Sequence, residues 1–109
     1  MHRIDQAIQE FQQHNAVRNS YWDAQNKLTP LFFSTELAGE VGEACNVVKK
    51  LERERLGLRG SRETLEHLKE ELEDVIICAI LLANSYDIKL APTEKYNATS
   101  RKLNLPELS

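Results

Sequence analysis

The sequence predicts an all-α fold. Apolar residues recur at three- and four-residue intervals in four segments, no segment alternates with the period of two that a half-buried strand requires, and helix-starting and helix-stopping residues punctuate the chain between those segments. The two longest segments also carry matching acidic patterns, which predicts a helical hairpin core.

Taken in order, Ile4, Ala7, Ile8 and Phe11 predict a short helix over residues 3 to about 14, ending near Asn15. Residues 15–28 read as a polar loop containing Tyr21 and Trp22. Thr29 is placed to cap a second helix with Pro30 at its first position, where a missing N–H costs nothing. Its apolar line is Leu37, Val41, Ala44, Val48 and Leu51, and Arg53 and Arg55 precede a stop at Gly57. After a turn over residues 57–61, Ser61 is placed to cap a third helix with Glu63 in its first turn. Its apolar line runs Leu65, Leu68, Leu72, Val75, Ala79 and Leu82 before a break near Asp87. Ala91 and Pro92 start a short fourth helix through Tyr96 to about Leu103.

Length and charge narrow the function. At 109 residues one domain is expected, with a core small enough that association through an apolar helix face would supplement it. A net charge of -3 gives no basic field for nucleic acid or an anionic membrane. The apolar run Val75 to Ala83 is too short to span a bilayer and no signal peptide is evident, so a cytoplasmic location is expected. Cys45 and Cys78 fall in helical apolar patterns and read as buried thiols. The sequon at Asn97 reads as a chance match.

The chemistry is concentrated in acidic residues. Glu36, Glu40 and Glu43 stack on one face of the second helix, where like charges repel by a few tenths of a kcal/mol per pair, so about that much must be offset elsewhere. Shifting the second helix by 31 residues lays Leu37 on Leu68, Glu40 on Glu71, Glu43 on Asp74 and Leu51 on Leu82. A Glu-x-x-Glu and a Glu-x-x-Asp thus share one frame, each expected at the border of its apolar stripe. The midpoint between Glu43 and Asp74 falls inside the turn at 57–61, so an antiparallel hairpin would bring both pairs to one height. Four converging carboxylates would be driven to protonate unless a cation sat among them, and all-oxygen ligands favour Mg²⁺, with Mn²⁺ as a substitute. The alternative is a solvated acidic surface on a non-catalytic helical interaction module.

With its surrounding residues this pattern resembles the MazG-like all-α nucleoside triphosphate pyrophosphohydrolases, over about residues 28–105. Their motif is Glu-x-x-Glu, a spacer and Glu-x-x-Asp, here Glu40 to Glu43, 27 residues, and Glu71 to Asp74. The resemblance implies a fold in which two such hairpins associate into a four-helix-bundle-like dimer or dimer of dimers, and cleavage of a (deoxy)nucleoside triphosphate between its α and β phosphates, giving monophosphate and pyrophosphate. It implies Glu40, Glu43, Glu71 and Asp74 as Mg²⁺ ligands, and Lys95, Asn97 and Arg101 as nucleotide contacts, Lys95 and Arg101 being otherwise ordinary solvated cations. Glu36 is a candidate orienting carboxylate or general base, or else a surface Glu at a helix start. Trp22 is a candidate stacking surface for the base, or else an anchor for the N-terminal helix. A di-iron carboxylate bundle is disfavoured because neither Glu40 nor Glu71 has a His three residues on. His67 is expected to face solvent, and His2 and His14 carry no signal.

Overall fold

The structure, a computed structural model, describes residues 1–58, 60 and 62–109. Among them are four helices and no strand: α1 Arg3–Trp22, α2 Pro30–Arg55, α3 Leu65–Ser85 and α4 Thr93–Lys102. The main packing is α2 against α3, and α1 lies against α3.

The seam between α2 and α3 follows a three-four spacing on both helices. Phe33, Leu37, Glu40, Ala44, Val47 and Leu51 are buried or half-buried on α2, and Leu68, Glu71, Val75, Cys78 and Leu82 are half-buried on α3. This spacing is what long-range helix pairing demands, because it keeps one stripe facing the neighbour. It also corrects the sequence expectation. Val48 is 49% exposed while its neighbour Val47 is 3% exposed, and Val41 and Leu72, both expected on the inner line, are exposed as well. Apolar residues cover two adjacent stripes of each helix, and periodicity does not say which stripe the same chain covers.

Three of the helices stop by one device. After α2, Gly57 at φ +73 lets its own N–H reach Glu54 O at 3.0 Å and the Leu58 N–H reach Arg53 O at 3.1 Å. After α3, Asp87 at φ +56 does the same with Asn84 O and Ala83 O, and after α4, Asn104 at φ +55 does so with Arg101 O and Ser100 O. A left-handed residue followed by paired backbone bonds satisfies the last carbonyls of a helix, and Gly and Asn tolerate that conformation best. At the starts, Thr29 caps α2 by position with Pro30 at the first turn, yet its hydroxyl makes no capping bond. Thr64 caps α3, its hydroxyl accepting from His67 N at 3.0 Å, and Ser61, expected in that role, lies outside the described residues.

The first helix runs to Trp22, well past Asn15, and the expected loop shrinks to the segment before Pro30. The periodicity misses its second half because the inward residues there are polar. Gln12 and Asn15 are buried, and Gln12 is held on every side. Its amide donates to Asn84 Oδ1 at 3.0 Å and Ile88 O at 2.8 Å, and its Oε1 accepts from Leu90 N at 2.9 Å. Asn84 donates back to Gln12 O at 3.0 Å. Buried Asp5 accepts from Thr93 N at 3.2 Å and Thr93 Oγ1 at 2.5 Å, so it holds the start of α4. Asp23 then reverses the chain, its carboxylate accepting from Lys27 N and Leu28 N, both at 2.9 Å.

The cysteine expectation also changes. Cys45 is exposed and Cys78 half-buried, because Cys45 follows the buried seam residue Ala44 and turns outward by about 100°. Both are free thiols.

Replacing Gln12 by Leu is expected to leave Leu90 N–H, Ile88 C=O and the Asn84 amide short of partners at a cost of about 1–3 kcal/mol. Gln13→Ala, an exposed neighbour, should change stability by less than about 0.5 kcal/mol. Urea unfolding of the two variants side by side checks the polar seam.

Candidate functional site

Glu40 and Glu71 occupy seam positions, the places a helix pair ordinarily fills with Leu or Val. Each is half-buried, and one oxygen of each, Glu40 Oε2 and Glu71 Oε2, is shut off from solvent with no hydrogen-bond partner. Carboxylate oxygens of Glu40, Glu43 and Glu71 all lie within 4.8 Å of one another. Glu43 is exposed at the seam's edge, one turn along α2 from Glu40. Asp74 falls outside that tightest group, but its charge reaches both Glu40 and Glu43.

Crowding sets the electrostatics. Burial, then the Glu71 carboxyl facing it, then the charges of Glu43, Asp74 and Glu71 push the Glu40 carboxyl up to about 7. The facing Glu71 carboxyl, ahead of burial and the charge of Asp74, raises Glu43 as well. Two orphaned oxygens in a nest of carboxylates cost free energy in the metal-free protein, and an ion that accepts several oxygen ligands removes that cost. An all-carboxylate donor set suits a hard divalent cation.

A pocket adjoins the cluster, with a volume of about 250 Å³. Its walls are Asn15, Arg18, Asn19 and Trp22 from α1, Phe32, Phe33 and Glu36 from α2, and Cys78 and Leu81 from α3. Glu36 is one turn before Glu40, and Cys78 is one turn after Asp74. In an antiparallel pair those steps lead the same way, so the pocket begins about 5.4 Å beyond the carboxylates. Trp22 and Phe32 stand at its aromatic end with ring centroids 6.4 Å apart. Arg18 Nη2 donates to Asn15 Oδ1 at 3.4 Å, and both residues line the pocket. Burial, with the charges of Glu40, Glu36 and Asp74 behind it, raises the Cys78 thiol and keeps it protonated and unreactive.

Glu40, Glu43 and Glu71 therefore form one cluster, and Glu36 and Trp22 line the pocket beside it. Lys95, Asn97 and Arg101 do not join it within this chain. Lys95 lines a groove with Ala7, Phe11, Ile76 and Ile80, and Ile76 sits about 160° around α3 from Asp74, on the opposite face. Arg101 donates to Glu94 and Glu107, both at 2.6 Å, and Asn97 Oδ1 accepts from Leu108 N at 2.7 Å. His67 keeps a side chain 43% exposed, as expected, and also stands between two carboxylates, Nδ1 at 2.6 Å from Glu63 Oε1 and Nε2 at 3.1 Å from Glu71 Oε1. Asn15, Arg18, Asn19 and Phe32 escaped the sequence reading. Reading α1 as a loop beyond Asn15 hid the three-four spacing of Asn15, Arg18 or Asn19, and Trp22, which was the available signal.

A search of family models matches residues 28–104 to the MazG nucleotide pyrophosphohydrolase domain. No curated protein and no solved structure matches the chain.

The raised Glu40 carboxyl predicts how metal-free stability varies with pH. The folded state holds its proton up to about 7, against 4.5 when unfolded, so this contribution is present below 4.5 and is lost as pH rises through about 7. In EDTA, the melting temperature is expected to fall between pH 5 and pH 8, and Glu40→Gln should flatten the fall and melt higher at pH 8. Thermal melts of both proteins across that range check the sign.

Proposed function

The chain belongs to the MazG nucleotide pyrophosphohydrolase family, and on that premise we propose that it is a Mg²⁺-dependent nucleoside triphosphate pyrophosphohydrolase acting on deoxynucleotides in the cytosolic pool. The observation that carries the reading is the continuity of the acidic cluster with an aromatic pocket one helical turn away. At about 250 Å³ the pocket falls below the roughly 300–1,000 Å³ of sites for whole drug-sized ligands, which suits one ring system with its phosphates outside.

In this reading Trp22 and Phe32 take the base by stacking, and the Asn15, Asn19 and Arg18 side chains supply polar edges that discriminate among bases. Glu40, Glu43, Glu71 and Asp74 would hold Mg²⁺, with Mn²⁺ as a substitute. When bound, that cation supplies charge neutralisation at the phosphates and lowers the barrier for a water to cleave the anhydride. Glu36, on the pocket wall one turn from Glu40, would hold the attacking water and take its proton on a carboxylate oxygen. The water oxygen forms the new P–O bond, the bond to the oxygen bridging the α and β phosphates breaks, and monophosphate and pyrophosphate leave.

Assembly belongs to the same proposal. The chain exposes 8312 Å², whereas a compact protein of its 12.5 kDa exposes about 6,200 Å². Its radius of gyration is 17.4 Å against about 13 Å for a compact chain of this length. The outer apolar stripe, Val41, Val48, Leu72 and Ile76, is uncovered on the helix pair itself. A second copy covering it would complete a four-helix arrangement, as a dimer or a dimer of dimers, and Lys95, Asn97 and Arg101 would reach nucleotide phosphates in that setting.

Pyrophosphate release from a panel of canonical and modified triphosphates is expected to require Mg²⁺ and to drop at least about 100-fold in Glu43→Gln. Trp22→Ala should raise KM about 5- to 100-fold, the loss of one stacking contact. Sedimentation equilibrium should give a mass of at least two chains. If no triphosphate is cleaved and no divalent cation binds, the chain is a helical interaction module instead.

A further inference from the structure

Glu63, His67 and Glu71 stand at four-residue intervals, so they climb one face around the start of α3. The His67 backbone is pinned at its third position by the Thr64 hydroxyl, 3.0 Å from His67 N. Its ring is then clamped from both sides, Nδ1 at 2.6 Å from Glu63 Oε1 and Nε2 at 3.1 Å from Glu71 Oε1. Glu63 in turn places Oε2 3.8 Å from Lys50 Nζ on α2, which ties the chain of contacts to the other helix of the hairpin.

The two oxygens of Glu71 thereby differ. Oε1 is engaged by the imidazole, and Oε2 is the buried oxygen with no partner inside the acidic cluster. A Glu side chain has three rotatable bonds whose freedom is lost when it ligates an ion, and a donor already holding one oxygen removes that freedom beforehand. We propose that His67, itself held by Glu63, is a positioning residue that presents Glu71 Oε2 to a divalent cation. The inference rests on the pyrophosphohydrolase reading of the site and extends it to residues outside the acidic motif. A purely structural role is the competing account: the same ladder would stabilise the first turns of α3 and leave cation affinity alone.

The test is calorimetric titration of the full chain with Mn²⁺ and with Mg²⁺, without nucleotide, on wild type, Glu71→Gln, His67→Ala, His67→Gln, Glu63→Gln and Lys69→Ala, with circular dichroism confirming helix content. His67→Ala is expected to weaken cation binding about 10- to 100-fold. His67→Gln should recover part of it, since an amide at that position can still donate to Glu71, and Glu63→Gln should weaken binding less than His67→Ala. Lys69, paired with exposed Glu73 at 3.1 Å, should have no effect on replacement. In turnover, the Mg²⁺ concentration for half-maximal rate should rise while kcat at saturating Mg²⁺ changes little. Wild-type affinity in His67→Ala, with binding abolished in Glu71→Gln, would overturn the proposal and leave the metal site standing. If His67→Ala loses its helix content, wild-type affinity in folded His67→Gln and Glu63→Gln overturns it equally. A wild type that binds neither cation removes the pyrophosphohydrolase reading, and this inference with it.

Discussion

Everything around the site depends on two glutamates placed where a helix pair needs apolar side chains. Glu40 and Glu71 face each other across the seam between α2 and α3, each with one oxygen cut off from water and from any donor. A seam of Leu and Val would have been more stable, and burial, then the facing Glu71 carboxyl and the neighbouring charges, raise the Glu40 carboxyl to about 7. The arrangement is tolerable because the seam is otherwise regular. Ala44 and Val47 on one side of Glu40, and Phe33 and Leu37 on the other, keep the helices packed while the carboxylates sit between them.

The rest of the chain is organised around that strained point. The α2 helix ends at Arg55, closed off by Gly57, and across its seam with α3 the Glu40 and Glu71 carboxylates come within 4.8 Å. The first helix is attached by amides and a carboxylate as well as by apolar side chains, through Gln12 to α3 and the segment after it and through Asp5 to α4. Directional bonds of this kind fix the angle at which α1 crosses, and with it the position of Trp22 and Asn15 over the pocket. No described helix is long and apolar enough to cross a membrane.

Much of this was legible in the linear chain. The all-α class, the start of α2 at Pro30, its stop at Gly57, and the short α4 followed from side-chain period and from residues whose backbone preferences are local. So did the pairing of the two acidic motifs, since an antiparallel hairpin with a short turn permits few registers. The second half of α1 was not legible, because its buried face is Gln12 and Asn15 and polarity reads as loop when partners are unknown. The role of Val47 over Val48 was hidden for a related reason: both stripes are apolar, and which one is covered depends on a neighbouring helix.

The sequence by itself determined that there would be four carboxylates in two matched pairs on paired helices, because helical period and turn length are local properties. Only the tertiary structure decided that Glu40 and Glu71 lie inside the seam and not at its border, that His67 bridges Glu63 and Glu71, and that Asn15, Arg18 and Trp22 close a pocket beside them. Each of those depends on the rotation of one helix about its axis against another. A shift of one residue, about 100°, moves a side chain from solvent to core, and that angle is set by the summed packing of all the helices together.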